Sequence, residues 1–320
     1  MLYADMTKMI QKHEMTTAVV MCTYNGEKYI LEQLESIYNQ TRQPDEVLIQ
    51  DDCSTDETVK VVREFISEHN LGSTWCISVN DENLGWKRNF MMTMKKSSAD
   101  LIFPSDQDDI WDKDKIRIMS TICEQNPEIE LLVSRHVPFE NKTGKEAYIY
   151  QPSLGNEDVS KVGFSGAFYE TLRQGCTHAM RRRLLQYIDT MWNEDWPHDQ
   201  FFWCIAIARG TLYSYNKPLV RYRRHKHVNT PSNLKTIEVR SGIAKKSADL
   251  AEMLLKNKEE LELSKEAIRT LERSMSFNRK REMYISKRNV LGIISLLTRL
   301  DCYTRFKAWA GDVVVVVKLG

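Results

Sequence analysis

Four times before Trp111 this chain repeats one pattern: a short apolar run, an abrupt polar break and, next, a segment with helical apolar spacing. Thr17-Ala18-Val19-Val20-Met21-Cys22 breaks at Tyr24-Asn25-Gly26, after which Ile30, Leu31, Leu34, Ile37 and Tyr38 recur on one helical face until Gln43-Pro44. Glu46 to Gln50 runs into Asp51-Asp52-Cys53-Ser54 and a helix to about His69, for which Ser54 and Glu57 have capping-box spacing. Trp75 to Val79 leads to Asn83-Leu84-Gly85 and a helix through Met94, and Leu101-Ile102-Phe103 stops at Pro104-Ser105-Asp106-Gln107-Asp108-Asp109. Strands alternating with helices predict an α/β fold, a largely parallel sheet covered on both faces. Ligands of such sheets bind beyond the carboxyl ends of the strands, where all four polar breaks fall.

The fourth break is the most acidic, with three carboxylates in four positions. An extended tip turns Asp106 and Asp108 to one side and Gln107 to the other. Carboxylates side by side repel unless a divalent cation lies between them, and hard oxygen ligands suit Mg²⁺ or Mn²⁺. The alternative is a solvated acidic turn that caps a helix from about Asp112 to Cys123, because Asp favours turns and N-caps.

At 320 residues, 42% hydrophobic and 28% charged, the chain has the composition of a globular protein with a substantial core. Its formal net charge of +1 hides a division: the part before Arg221 carries −10 and the part from Arg221 onward +11. Seven cysteines, widely spaced and without a CxxC pair, indicate neither a disulfide framework nor a zinc cluster, and lead us to expect a reducing compartment. The polar stretch from Asp5 to Glu14, and the lack of about 18 consecutive apolar residues, lead us to expect neither a signal peptide nor a spanning helix.

The four breaks, in order and spacing, resemble the motifs of family 2 glycosyltransferases with a GT-A fold. Ser105-Asp106-Gln107-Asp108-Asp109-Ile110-Trp111 is similar to the bacterial branch that includes rhamnosyltransferases of cell-wall and capsular polysaccharide assembly. The likeness is strong from Ala18 to about Cys123, patchy from Gly175 to Asn229 and absent afterwards. It implies a GT-A domain over 17–230, with a nucleotide-sugar half (17–123) and an acceptor half (124–230), between an extension over 1–16 and a helical basic region over 231–320. It also implies an inverting enzyme at the cytoplasmic face of the membrane, moving a sugar such as rhamnose from a nucleotide-diphosphate sugar to a growing glycan or lipid-linked acceptor, without nucleic acid as a partner. A nucleotidyltransferase, or a silent carbohydrate-binding or scaffold protein, is the alternative. The first would ordinarily show a glycine-rich basic phosphate loop, which Tyr24-Asn25-Gly26-Glu27 is not.

Carried onto this sequence, the resemblance makes Asp52 the carboxylate that reads the nucleotide base, with Tyr24 stacked beside it and Asp51 adjacent. Cys22 stands where relatives often carry Thr. Asp108 becomes the metal carboxylate, Asp106 its partner and Asp109 a support. Asn83 and Gly85 fall in the nucleotide-sugar site, and Lys87 or Arg88 after them would add a cation near the donor phosphates or else lie on a solvated helix face. Gln174-Gly175-Cys176-Thr177-His178 resembles the loop beside the donor sugar. Asp199, after Trp196-Pro197-His198, becomes the general base, or else an N-cap of the apolar helix that begins there. His198 would orient it or lie at the surface. His225, in Tyr222-Arg223-Arg224-His225, becomes a phosphate or metal contact.

Beyond Asn229 the chain turns charged and helix-favouring. Ile243, Leu250, Leu254, Leu261, Ile268 and Leu271 form a narrow apolar stripe suited to a hairpin that packs on the domain or a partner. Leu291, Ile293, Ile294, Leu296, Leu297, Leu300, Phe306, Trp309 and Val313 to Val317 follow, flanked by basic residues. Such a mixture suits an interfacial helix on an anionic bilayer, each nearby Lys or Arg contributing about 1 kcal/mol, or the face of a homodimer.

Overall fold

The computed structural model describes residues 14–140, 151–224 and 236–318. Its first half follows the expected alternation: β1 (Thr17–Thr23), α1 (Ile30–Tyr38), β2 (Glu46–Asp51), α2 (Thr58–Glu68), β3 (Trp75–Val79), α3 (Trp86–Met94) and β4 (Leu101–Ser105). β1 is buried along its whole length because it is central, hydrogen-bonded in parallel to β2 on one side and β4 on the other. Its side chains alternate between two cores. Ala18, Val20 and Cys22 face Phe90, Met91 and Met94 of α3, while Val19 and Met21 face Ile30, Leu34 and Ile37 of α1.

The second half adds β5 (Ile110–Trp111), α4 (Lys115–Gln125), β6 (Leu131–Glu140), β7 (Val159–Lys161), β8 (His178–Arg181), α5 (Ile188–Met191), α6 (His198–Arg209) and β9 (Leu212–Arg224). Among the described residues the sheet order is β3-β2-β1-β4-β8-β6-β9-β5, with β7 paired to β9. β8 runs antiparallel to β4 and to β6, so the sheet is parallel on its β3-to-β4 side and mixed beyond it. The register aligns the strand ends: Met21 lies opposite Ser105, Thr23 opposite Asp51, and Asp51 opposite Val79. Every polar break of the first half thus emerges on one rim.

Ser54 and Glu57 do not form the expected capping box. The Ser54 hydroxyl and amide both donate to the buried Asp51 carboxylate, at 2.5 and 2.8 Å, and α2 starts at Thr58, whose amide donates to Asp56. A fully buried carboxylate gains more from those donors than a frayed helix end gains from the hydroxyl.

The region after residue 236 folds as α7 (Ile237–Lys256), α8 (Lys265–Ser286), α9 (Val290–Ser295), a 3₁₀ turn over Leu296–Cys302 and α10 (Phe306–Lys318). Leu250, Leu254, Leu261 and Leu271 of the expected stripe are fully buried in the same cluster as Phe201 and Trp203 of α6, whereas Ile243 and Ile268 are only half-buried. Burying each leucine contributes about 1.5–3 kcal/mol against roughly 0–1 for a surface ion pair, so the hairpin is held by this core rather than by its many charges. Asp312 of α10 is fully buried. It accepts from Arg240 at 2.7 Å, Arg281 at 2.7 Å and the Tyr303 hydroxyl at 2.9 Å. Burial opposes the Arg281 charge, but Asp312 more than compensates and holds its pKa above the usual value.

Removing Asp312 strands Arg281, itself buried, without its counter-charge. Asp312→Ala is expected to cost about 3–5 kcal/mol. A denaturant unfolding midpoint within error of the parent's would show that the network is not structural.

Candidate functional site

The rim is built by side chains that satisfy the backbone of the loops leaving each strand. Asp51, fully buried, accepts from the Thr23 hydroxyl at 2.7 Å and so ties β2 to β1. Asp52 accepts from the amides of Leu84 and Gly85, both at 2.8 Å, and from Asn80 Nδ2 at 2.7 Å. That uses three of the about four acceptor positions of a carboxylate, leaving at most one for a ligand. Asn83 is committed at both ends of its amide, donating to the Asp52 carbonyl at 2.9 Å and accepting from the Gly85 amide at 3.1 Å. Gly85 sits at φ 77°, a conformation that a side chain would strain. Lys87 donates to the Asp195 carbonyl at 2.9 Å. Of the residues expected at the nucleotide sugar, Asn83 and Lys87 therefore point at protein partners. Cys22 is nearly buried beneath the rim.

Tyr24 presents an exposed ring, 49% accessible, on a backbone clamped by Gln107. The Gln107 side chain accepts from the Tyr24 amide at 2.9 Å and donates to its carbonyl at 3.0 Å. Sequence reading set Gln107 aside as pointing away. It points instead into the first loop and locks that loop to the acidic one.

The acidic stretch is no helix cap: α4 begins at Lys115, with Asp114 at its N-cap. Ligating atoms of Asp106, Asp109 and Cys176 all lie within 4.8 Å of one another. Asp108, expected to be the principal metal carboxylate, is outside that group; its backbone carbonyl accepts from Arg223 Nε at 2.7 Å. Asp109, expected only as a support, is fully buried, with Oδ1 bonded to the Arg223 amide at 3.0 Å and Oδ2 without a hydrogen-bond partner. His225 lies outside the described residues.

Under this cluster lies Lys115, fully buried, its amine 2.6 Å from the Cys176 carbonyl and 3.3 Å from the centre of the Trp111 ring. Burial lowers the Lys115 pKa to about 7, although Cys176, Asp109 and Asp106 pull it upward. Burial raises Asp109 to about 7, reinforced by the Asp108 charge, and lifts Asp106 well above the usual carboxylate range, reinforced by Asp109, Asp108 and Asp199. With Asp106, Asp108 and Asp109 all ionised, a single lysine would leave a deficit of the kind a dication fills. The Asp109 Oδ2, buried without a hydrogen-bond partner, is the polar atom such an ion would satisfy, and the Asp106 and Asp109 carboxylates are the hard oxygen donors that Mn²⁺ or Mg²⁺ takes, whereas burial keeps the neighbouring Cys176 thiol protonated and so a poor ligand for either.

Asp199 stands in the first turn of α6, half-buried, near enough to Asp106 to raise its pKa. Its own carboxyl is raised by burial to about 6, against the backbone hydrogen bonds of Gln200, Asp199 and Gly175. Pro197 holds the N-cap position and no side chain caps this helix, so Asp199 does not serve as the N-cap. His198 is buried rather than at the surface, its ring 4.3 Å from that of Phe90 and both nitrogens without hydrogen-bond partners. Burial lowers its pKa to about 3. A Cβ on Gly175 would fall 2.3 Å from His198 Nε2, so the Gly175-Cys176 turn can lie against α6 only as glycine. Sequence reading missed Lys115 and Gln107 as parts of the site, and it quoted Arg223 without a role. A lysine four positions after a tryptophan on an otherwise apolar helix face was the available signal for Lys115.

Residues 18–188 match the family described as Glycosyl transferase family 2. The chain is 31% identical to the dTDP-rhamnosyl transferase RfbG of Shigella flexneri over 229 residues, 67% of this chain and 74% of that protein. In three dimensions it is similar to Staphylococcus aureus TarS 1-349 in complex with UDP-GlcNAc, with a TM-score of 0.61 at 19% identity, covering 91% of this chain and 93% of that one. It is also similar to the mannosyltransferase PcManGT of Pyrobaculum calidifontis in complex with GDP-Man and Mn²⁺, with a TM-score of 0.56 at 13% identity, covering 96% and 87%.

A cation that binds this cluster competes with protons for its carboxylates. Between the ordinary carboxylate range and about pH 7 the folded metal-free protein holds a proton on Asp109 that the unfolded chain has released, so this group's contribution to stability falls as pH rises through 7. Mn²⁺ should therefore raise the melting temperature more at pH 8 than at pH 5. Saturation at 100 times the Kd corresponds to about 2.7 kcal/mol. A thermal shift in Mn²⁺ that is absent, or equal at both pH values, would contradict the site.

Proposed function

This chain belongs to glycosyl transferase family 2, and we propose that it transfers a hexose such as rhamnose from a nucleoside-diphosphate sugar to a growing bacterial surface polysaccharide or a lipid-linked acceptor. The observation that carries this reading is the juxtaposition of Asp199 with the Asp106, Asp108 and Asp109 carboxylates on the rim of the parallel strands. The dTDP-rhamnosyl transferase relative supports rhamnose as one donor sugar to test.

In this reading the exposed Tyr24 ring stacks on the nucleotide base and the remaining acceptor position of Asp52 receives a hydrogen bond from it. Asp106 and Asp109 would hold a divalent cation, Mn²⁺ or Mg²⁺, in the added negative field of Asp108, and the ion when bound would neutralise the diphosphate leaving group. Asp199 takes the proton of the acceptor hydroxyl as that oxygen attacks the anomeric carbon. The bond from sugar to diphosphate breaks on the opposite side, and one displacement inverts the centre. A carboxyl at about 6 is a stronger base than an ordinary aspartate and is still ionised at neutral pH, the compromise that general-base catalysis favours. The buried His198 ring and Gly175 fix where that carboxylate stands.

A panel of nucleotide sugars, screened for release of nucleoside diphosphate with and without Mn²⁺, tests the activity. No metal-dependent turnover with any donor and acceptor would sink it. Asp199→Asn should lower kcat by about 10²- to 10⁴-fold with the donor Kd unchanged. The parent's kcat/KM should rise with pH through about 6, as Asp199 must lose its proton, and the variant should lack that limb. A near-normal kcat in a folded variant would place the base elsewhere. Asp108→Asn should abolish the metal-dependent rate while the fold survives. Full activity in Mn²⁺ would show that Asp108 is dispensable to the ion.

A further inference from the structure

The C-terminal helices bury one side and leave the other bare. Ile293, Leu296 and Val316 are no more than 5% exposed, packed with Phe277, Ile285 and Tyr303, and Val315 is equally buried. On the outside, Leu291 is 78% exposed, Ile294 43%, Leu300 40%, Phe306 60%, Val314 47% and Val317 55%. Leu291 and Ile294 are three residues apart and share a face of α9. At about 100° per residue, Phe306, Val314 and Val317 fall within one arc of α10, opposite the buried Val315. The two helices are joined where Trp309 Nε1 donates to the Ile293 carbonyl at 3.0 Å, so the apolar faces belong to one packed unit.

The charge along this segment is mostly of one sign. From residue 283 to 317 the exposed ionised side chains are Lys287, Arg288, Arg299, Arg305, Lys307 and a single acid, Asp301, which pairs with Arg273 at 3.0 Å. The segment's other acid, Asp312, is buried with its arginines. From other elements Glu170 lies 3.9 Å from Arg305 and Glu238 is near Arg288, which leaves the cations in excess. No helix among the described residues is long and apolar enough to cross a membrane. An apolar face ringed by cations on short helices has the pattern of a segment lying in the plane of a bilayer surface.

We propose that α9, the 3₁₀ turn and α10 seat this chain on an anionic lipid bilayer, the six apolar side chains entering the headgroup layer and the five cations meeting lipid phosphates. A second copy of the chain is the poorer occupant. A two-fold contact sets a surface against itself, and this one would press cations on cations with fewer acids than cations to offset them. The surface shares no residue with the proposed transfer site, so its test is independent of that activity.

The test is sedimentation of the full chain with large unilamellar vesicles of phosphatidylcholine, alone or mixed with phosphatidylglycerol. Binding should be at least about tenfold tighter to the mixed vesicles at low salt and should weaken as salt rises. Leu291→Ser/Phe306→Ser/Val317→Ser should lose that binding with its melting temperature held, and Leu291→Ser alone, at the most exposed position, provides the measurement should the triple variant fail to fold. Arg305→Gln/Lys307→Gln should flatten the salt dependence. A parent chain that stays in the supernatant, or serine variants that bind like the parent, would overturn the proposal. So would a dimer in sedimentation velocity that the serine changes dissociate, which would assign the surface to a second copy.

Discussion

Repulsion among carboxylates at the end of β4 is the constraint around which the rest of the structure is arranged. Two unit charges 4 Å apart interact by about 1 kcal/mol in water and about 4 kcal/mol in a partly dry protein surface, so Asp106, Asp108, Asp109 and Asp199 cannot share one rim without a response. The fold supplies two. Burial and mutual repulsion favour retention of protons on Asp106 and Asp109. A lysine is also built in, since Lys115 is buried against the Trp111 ring directly beneath the cluster, its amine drawn toward the charged form by Asp109 and Asp106. A bound dication would take the place of the retained protons.

Lys115 has a mechanical role too. Its amine holds the Cys176 carbonyl, and with it the turn that lies against α6 beside Asp199. A single side chain therefore balances charge in the half of the domain built from the first four strands and positions the half that follows. Arg223, at the end of β9, does something similar from the other side: its amide meets Asp109, its Nε the Asp108 carbonyl, and its guanidinium Glu32 of α1 at 2.9 Å. Around these two, Asp51, Asp52, Asn83 and Gln107 fasten the loops to one another. A rim whose loops are tied by side chains is preorganised, which suits a site that must align two substrates.

The division of charge seen along the chain becomes a division in space. Acidic groups gather at the strand ends, while exposed basic ones surround the apolar outer face of α9 and α10. The C-terminal region is nonetheless no loose appendage. Its leucines complete the core around α6, and Tyr169 reaches across to donate to the Cys302 carbonyl at 3.1 Å.

The sequence alone determined the order of strands and helices in the first half, because continuous apolar runs and helical spacing are local signals that do not wait for tertiary contacts. It determined as well that the polar breaks share one rim, since parallel strands joined by helices must end together. Cys22, Tyr24, Asp106, Gly175 and Asp199 were legible at this level as residues of that region. What the tertiary structure decided is which atoms of those residues are free. Asp52, Asn83 and Lys87 read as ligand contacts, yet most of their polar atoms are taken by the protein, because backbone amides of a neighbouring loop approach them only when the chain is folded. Ser54 looked like a helix cap until a buried carboxylate claimed it. Asp109 and Cys176 meet across 67 residues of sequence, above a lysine from a helix with no motif of its own. Such encounters depend on the packing of β8 and α4 against β4, and no local pattern encodes them.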